Sequence, residues 1–234
     1  MVLLEVKNID VYYGEGQALF DVSLDVGKEE TVALLGRNGA GKTTTLKAIM
    51  GINKPKRGNI IFEDQNITSW PPDKISRNGI GWVPEDRKLF GELTVRENLK
   101  VAAAGTEDYE GINRVMNLLP IIKKYSNTKA SNLSGGEQKM LTIARSLIGK
   151  KTLLMFDEPS EGLAPSIVES IRKILYEIKS MGHGIILVEQ NTPLALELSD
   201  RVYIIRSGSI VFEGKPSEII ENKRVQGYLA VAKV

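Results

Sequence analysis

The chain of 234 residues contains no cysteine. Disulfides, thiol nucleophiles and cysteine-ligated metal centres are therefore excluded. A single histidine, His183, rules out a multi-histidine metal site as well. No apolar run approaches the roughly 18 residues that a membrane helix needs. Residues 1–7 lack the basic start and long apolar stretch of a secretory signal. A cytoplasmic protein is expected, and any membrane span would have to come from another subunit. An excess of one charge is missing too: 31 basic residues against 29 acidic ones leave a net charge of +2. That balance predicts no nucleic-acid partner. What is present is an ordinary globular composition, 42% hydrophobic and 26% charged, long enough for one large α/β domain or two lobes sharing a core.

Alternation of apolar and polar residues predicts half-buried strands over 3–9 and 19–26. Residues 31–35 form a short apolar run that ends at Gly36. A glycine-rich loop follows, then a helical stretch over 42–50 that stops at Gly51. Further strands are predicted at 59–62 and 80–83. Thr94 and Glu97 make a capping box that opens a helix through residue 104. Residues 112–125 read as helical with a break near Pro120, and Ser134 with Glu137 makes a second capping box. An apolar strand over 153–156 ends at Asp157 and Glu158. A long amphipathic helix is predicted over 165–181, a buried strand over 185–188, and a helix capped by Thr192 with Pro193 in its first turn. Ser207-Gly208 between 202–205 and 210–213 signals a hairpin. Strands alternating with helices predict an α/β fold with a mostly parallel sheet. The terminal hairpins predict an added antiparallel β-subdomain. The helix-rich stretch from about 65 to 130 predicts an inserted helical lobe, placed at roughly 85–150 within a single domain over 1–234.

Strand, glycine loop and helix in that order make a phosphate-binding loop. Gly36, Gly39 and Gly41 let the backbone turn its N–H groups inward, and the N-terminus of the following helix adds to the anion cradle. Asn38 and Thr44 belong to the same cradle. Lys42 is expected to reach the β/γ-phosphates and Thr43 to place its hydroxyl on Mg²⁺. Asp157 stands at a strand C-terminus, where open α/β sheets bind ligands, and a carboxylate there suits the Mg²⁺ shell. Glu158 is placed to polarise an attacking water as general base. Ser134, Gly135 and Gly136, at a helix start, form a further candidate anion site.

The run Leu133-Ser134-Gly135-Gly136-Glu137-Gln138, downstream of the phosphate loop, resembles the signature of ATP-binding-cassette (ABC) ATPases. The resemblance covers nearly the whole chain. It implies a P-loop ATPase core that uses ATP and Mg²⁺. It also implies that the Ser134–Gly136 run faces ATP held by a second, head-to-tail subunit. Tyr13, with Tyr12 as its neighbouring alternative, resembles the aromatic that stacks on adenine. Three positions depart from the family's usual residues: Glu85 stands for a glutamine at the metal, Gln190 for a histidine at the γ-phosphate, and Ala164 for an aspartate. Pro84-Glu85 with Val188-Glu189-Gln190-Asn191 resembles the ATPases of branched-chain amino-acid importers, and those of urea importers are similar. The resemblance thus implies a motor peripheral to the inner face of the cell membrane. Its partners would be transmembrane permease subunits, a second ATPase subunit and, indirectly, a solute-binding protein. A soluble P-loop enzyme outside transport is the alternative. His183 is read as a surface loop residue.

Overall fold

The computed structural model describes residues 1–229. The domain expected over 1–234 runs past that limit, and residues 230–234 lie outside the described residues. Two long strands open the chain, β1 (Val2–Tyr13) and β2 (Gly16–Gly27). Strand β3 (Thr31–Leu35) leads through the glycine loop into α1 (Lys42–Ile49). Then come β4 (Arg57–Phe62), the two-residue β5 (Gln65–Asn66), α2 (Pro72–Arg77) and β6 (Ile80–Val83). Four helices follow without a strand: α3 (Val95–Thr106), α4 (Glu110–Leu118), α5 (Pro120–Lys124) and α6 (Gly135–Ser146). The chain returns through β7 (Leu153–Asp157), α7 (Pro165–Ser180), β8 (Gly184–Glu189) and α8 (Thr192–Leu198). It closes with β9 (Arg201–Arg206), β10 (Ser209–Gly214), α9 (Pro216–Glu221) and α10 (Lys223–Leu229).

The strands form two sheets, β2-β1-β4-β5 and β10-β9-β3-β8-β7-β6. The first pairs antiparallel throughout; the second is parallel except for β10. The α/β fold with a mostly parallel sheet, an added antiparallel sheet and helices between β6 and β7 is thus the observed architecture. Strands β3, β7 and β8 are buried along their whole lengths, as strands covered on both faces must be. Helix α1 packs Leu46 and Ile49 among apolar residues of both sheets. Each such buried side chain contributes about 1.5–3 kcal/mol. A second core lies under the lobe helices and α7. Arg201 ties the sheets at their edge, binding Asp25 at 2.6 Å, Glu30 at 2.9 Å and Glu213 at 2.7 Å.

Three local expectations need correction. The cap of α8 is Asn191, not Thr192: the Asn191 side chain accepts the Leu194 N–H at 3.2 Å. Two cap-forming residues stand side by side here, and the chain leaves its extended conformation one residue early. His183 is half-buried, and burial lowers its pKa. Strands β1 and β2 run well past their predicted ends, because register shifts between them break the alternation that marks a strand.

Candidate active site

In the parallel sheet β3 and β7 flank β8, so their C-terminal ends open on the same side. The phosphate loop leaves β3 at Gly36, where a Cβ would sit 2.4 Å from the Ile205 carbonyl oxygen. Only a glycine allows the loop to lie that close to β9. Gly41, at φ 115, caps α1 in a conformation that side chains resist. The β9–β10 hairpin braces the loop from outside: the Gly208 N–H donates to the Ala40 carbonyl at 2.8 Å, and the Phe20 N–H donates to the Gly208 carbonyl at 2.8 Å.

Lys42, only 4% exposed, donates to the carbonyls of Gly36 at 2.9 Å and Arg37 at 3.2 Å. Its Nζ also lies 3.2 Å from Glu158 Oε1. Thr43 Oγ1 donates to Asp157 Oδ1 at 3.0 Å, while the buried Asp157 Oδ2 has no partner. Burial pushes the Asp157 carboxyl up to about 6; the Thr43 hydrogen bond opposes the shift and the carboxylates of Glu158 and Glu85 add to it. An orphaned carboxylate oxygen beside a hydroxyl is an all-oxygen donor pair suited to a hard divalent cation. Among the described residues no three His, Asp or Glu side chains gather to hold a metal unaided, so phosphate oxygens and water would have to complete such a shell.

Glu158 adopts φ 45, a left-handed conformation unusual for a side-chain-bearing residue. Its N–H donates to the Val188 carbonyl at 2.9 Å, and Gln190 Nε2 donates to its Oε2. Burial favours a protonated Glu158, but hydrogen bonds from Glu161 and Gln190 and the Lys42 charge outweigh it and hold the carboxyl below its usual range. Glu161 is pushed up to about 7, first by its hydrogen bond to Glu158.

These groups border a cavity of about 480 Å³, within the range of small-ligand sites. Asn38, Gly39, Gly41, Lys42, Thr43 and Thr44 line one side and Glu85, Glu158 and Glu161 another. Gln17, Ala18, Phe20, Ser207 and Gly208 complete it. Sequence motifs do not reveal these five, because β2 and the β9–β10 turn reach the loop only through the fold. Glu161 was missed for another reason: its chemistry comes from contact with Glu158. Gln190 borders an adjoining cavity with Gly36, Arg37 and Asn38. Tyr13 is 53% exposed and lies outside the cavity lining. The Tyr12 hydroxyl donates to Gln17 Oε1 at 2.8 Å and its ring carries Lys56 at 4.3 Å, so Tyr13 is the more available ring.

Ser134, Gly135 and Gly136 do not line the cavity. Ser134 caps α6 in a reciprocal box with Glu137. The glycines have local reasons as well. A Cβ on Gly136 would meet Ile167 of α7 at 2.8 Å, and one on Gly135 would meet Arg87 Nη2 at 2.8 Å.

The sequence pattern described as ABC transporter matches residues 19–161, more than half of the chain. The chain belongs to the ABC transporter family. This ABC ATPase is 40% identical over 227 residues to the high-affinity branched-chain amino acid transport ATP-binding protein BraG of Pseudomonas aeruginosa, covering 96% of this chain and 97% of that one. It is 32% identical over 231 residues to the lipopolysaccharide export system ATP-binding protein LptB of Escherichia coli strain K12, covering 97% and 96%. Its fold matches a crystal structure of a nucleotide-free ATP-binding cassette from an ABC transporter with a TM-score of 0.89. That match has 26% identity and covers 99% of this chain and 100% of that one. The protein is a nucleotide-binding, ATP-hydrolysing subunit of an ABC transporter. No helix among the described residues is long and apolar enough to cross a membrane.

Proposed function

We propose that the chain is the motor of a branched-chain amino-acid importer. It would act as one of a head-to-tail ATPase pair on the inner face of the cell membrane, with transmembrane permease subunits and, indirectly, a solute-binding protein. The observation carrying the mechanism is the convergence of Lys42, Thr43 and Glu158 on one cavity, with the buried Asp157 hydrogen-bonded to Thr43 behind its wall. Lys42 and the loop N–H groups hold the β- and γ-phosphates. Asn38 and Thr44 lie on the same wall, and Tyr13 stacks on the adenine. Thr43 Oγ1, the orphaned Asp157 Oδ2 and Glu85 would hold Mg²⁺, which would supply neutralisation of developing phosphate charge. Glu158 accepts the proton of the attacking water. Gln190 holds Glu158 in place and senses the γ-phosphate without transferring a proton. The Ser134–Gly136 run faces the cavity of the partner subunit, since it lies outside that of its own chain. Residues 85–150 act as the lobe that contacts the permease.

A second cavity of about 430 Å³ separates the core from that lobe. Arg77, Arg87, Lys88, Arg145 and Lys151 line it against a lone Asp73, and the buried Trp82 Nε1 and Arg145 Nε lack partners. An acidic segment of a permease subunit fits that charge. The importer reading rests on the likeness to BraG together with Pro84-Glu85 and Val188-Glu189-Gln190-Asn191. The test is to purify the native complex through this chain and reconstitute it in proteoliposomes. ATP-driven accumulation of leucine, isoleucine or valine is expected. Turnover without it, or transport of urea or lipopolysaccharide instead, overturns the assigned cargo.

A further inference from the structure

Glu189 ends β8 and has no part in the chemistry above, yet its carboxylate is buried, at 2% exposure. Its Oε1 accepts the Ser160 N–H at 2.9 Å, and its Oε2 accepts the Asn191 N–H at 3.3 Å. The location explains the need. The last rung of the β7–β8 ladder pairs Asp157 with Val188, and beyond it the strands part. The Ser160 N–H is buried there with no strand partner, where an unmet donor costs about 1–3 kcal/mol, and the Asn191 N–H on the other side is part-buried. Glu189 supplies an oxygen to each side of the gap. Ser160 lies two residues after Glu158 and Asn191 one residue after Gln190. The one side chain therefore joins the loop of the base to the loop of the γ-phosphate sensor.

We propose that Glu189 is a positioning residue that fixes the Glu158 loop against the Gln190 loop, so that the hydrogen bond between those two side chains keeps its geometry during hydrolysis. The proposal rests on the site reading given above. Glu158 sits in a left-handed backbone conformation, which persists only where surrounding contacts over-determine it. Gln190 can hold Glu158 only if both loops stay in register. A neutral amide cannot replace the carboxylate in full. It offers one accepting oxygen, and its NH₂ would face the second N–H donor. Only a carboxylate presents acceptors to both loops.

The test uses the assembled transporter. In Glu189→Ala both loop contacts go, and kcat should fall about 10²-fold, the cost of a displacement near 1 Å in a catalytic group. In Glu189→Gln one contact survives and the fall should be about 10-fold. KM for ATP should stay at the parent value in both, because the phosphate loop is untouched. Adding Glu189→Gln to Gln190→Ala should cost little beyond Gln190→Ala alone, since Glu189 acts through the contact that variant has already lost. If Glu189→Ala fails to fold, Glu189→Gln carries the test alone. Parent-like kcat in Glu189→Gln overturns the proposal. So does a matched loss of kcat and ATP affinity, or a fully additive loss with Gln190→Ala, each of which marks a general structural role. Failure of the underlying site reading is separate: it would show as normal turnover in Glu158→Gln.

Discussion

At the scale of single residues, the site depends on two buried ionisable side chains held in unlike ways. Lys42 is satisfied by carbonyls and a carboxylate, and the loop's other cation, the exposed Arg37, lies outside the lining of the main cavity. Lys42→Ala should therefore lose tight ATP binding or turnover in the assembled complex; near-normal ATPase activity would remove the loop from its role. Asp157 is the reverse case, a carboxylate with an unmet oxygen and a pKa pushed up to about 6 by burial. Its unfolded value lies near 3.9, so the folded protein holds this proton more tightly than the unfolded chain does. The cost of ionising Asp157 in place is fully present above about pH 6 and fades as pH falls towards about 4. Asp157→Asn removes that cost. The nucleotide-free variant should gain about 1–3 kcal/mol near pH 8 and little near pH 4, while Mg²⁺-dependent turnover is lost. Denaturation curves at the two pH values decide the matter, and equal shifts at both would refute the account.

At the scale of elements, α6 meets α7 where Gly136 faces Ile167. Gly136→Ala should cost about 1–3 kcal/mol through overpacking. Trimming the neighbour in Gly136→Ala/Ile167→Ala should recover part of the loss, as urea midpoints would show; simple addition of the two losses would mean the clash is not the cause. The same glycine illustrates what the sequence could convey. The motifs around Lys42, Asp157 and Ser134 are contiguous, so their elements and order were legible: a strand, glycine loop and helix can be read without knowing what lies across the sheet. The reason for Gly136 was not, because Ile167 comes from another helix. Phe20 and Gln17 were hidden likewise, brought to the cavity by a bulged hairpin. Short helices such as α2 and α9, six residues each and opened by proline, carry too few turns to show a period. Asn191 and Thr192 are equally good caps on paper, and only the backbone decides between them.

At the scale of the whole molecule, each chain carries one phosphate loop and one Ser134–Gly136 run, set apart from each other. Completing either site by the other requires two copies or a related partner, and two-fold symmetry then gives two sites. Glu158→Gln keeps the shape of the side chain and removes the base. It should bind ATP, hydrolyse it about 10²–10⁴-fold more slowly, and accumulate as a dimer on size exclusion with ATP and Mg²⁺. A variant that stays monomeric under those conditions counts against the head-to-tail pair, and one that turns over normally removes Glu158 from its role.

The contacts of Lys42 carry a consequence for how that cycle begins. The ammonium is already satisfied by Gly36, Arg37 and Glu158, so the protein contains its own competitor for the nucleotide. A phosphate entering the loop must displace these partners, and the apparent affinity is lowered by whatever the internal contacts are worth. The exchange is also an interlock. On the proposed reading, Glu158 Oε1 is engaged by the lysine until phosphate draws the lysine away, so the base would be freed for water by the arrival of the group it helps to cleave.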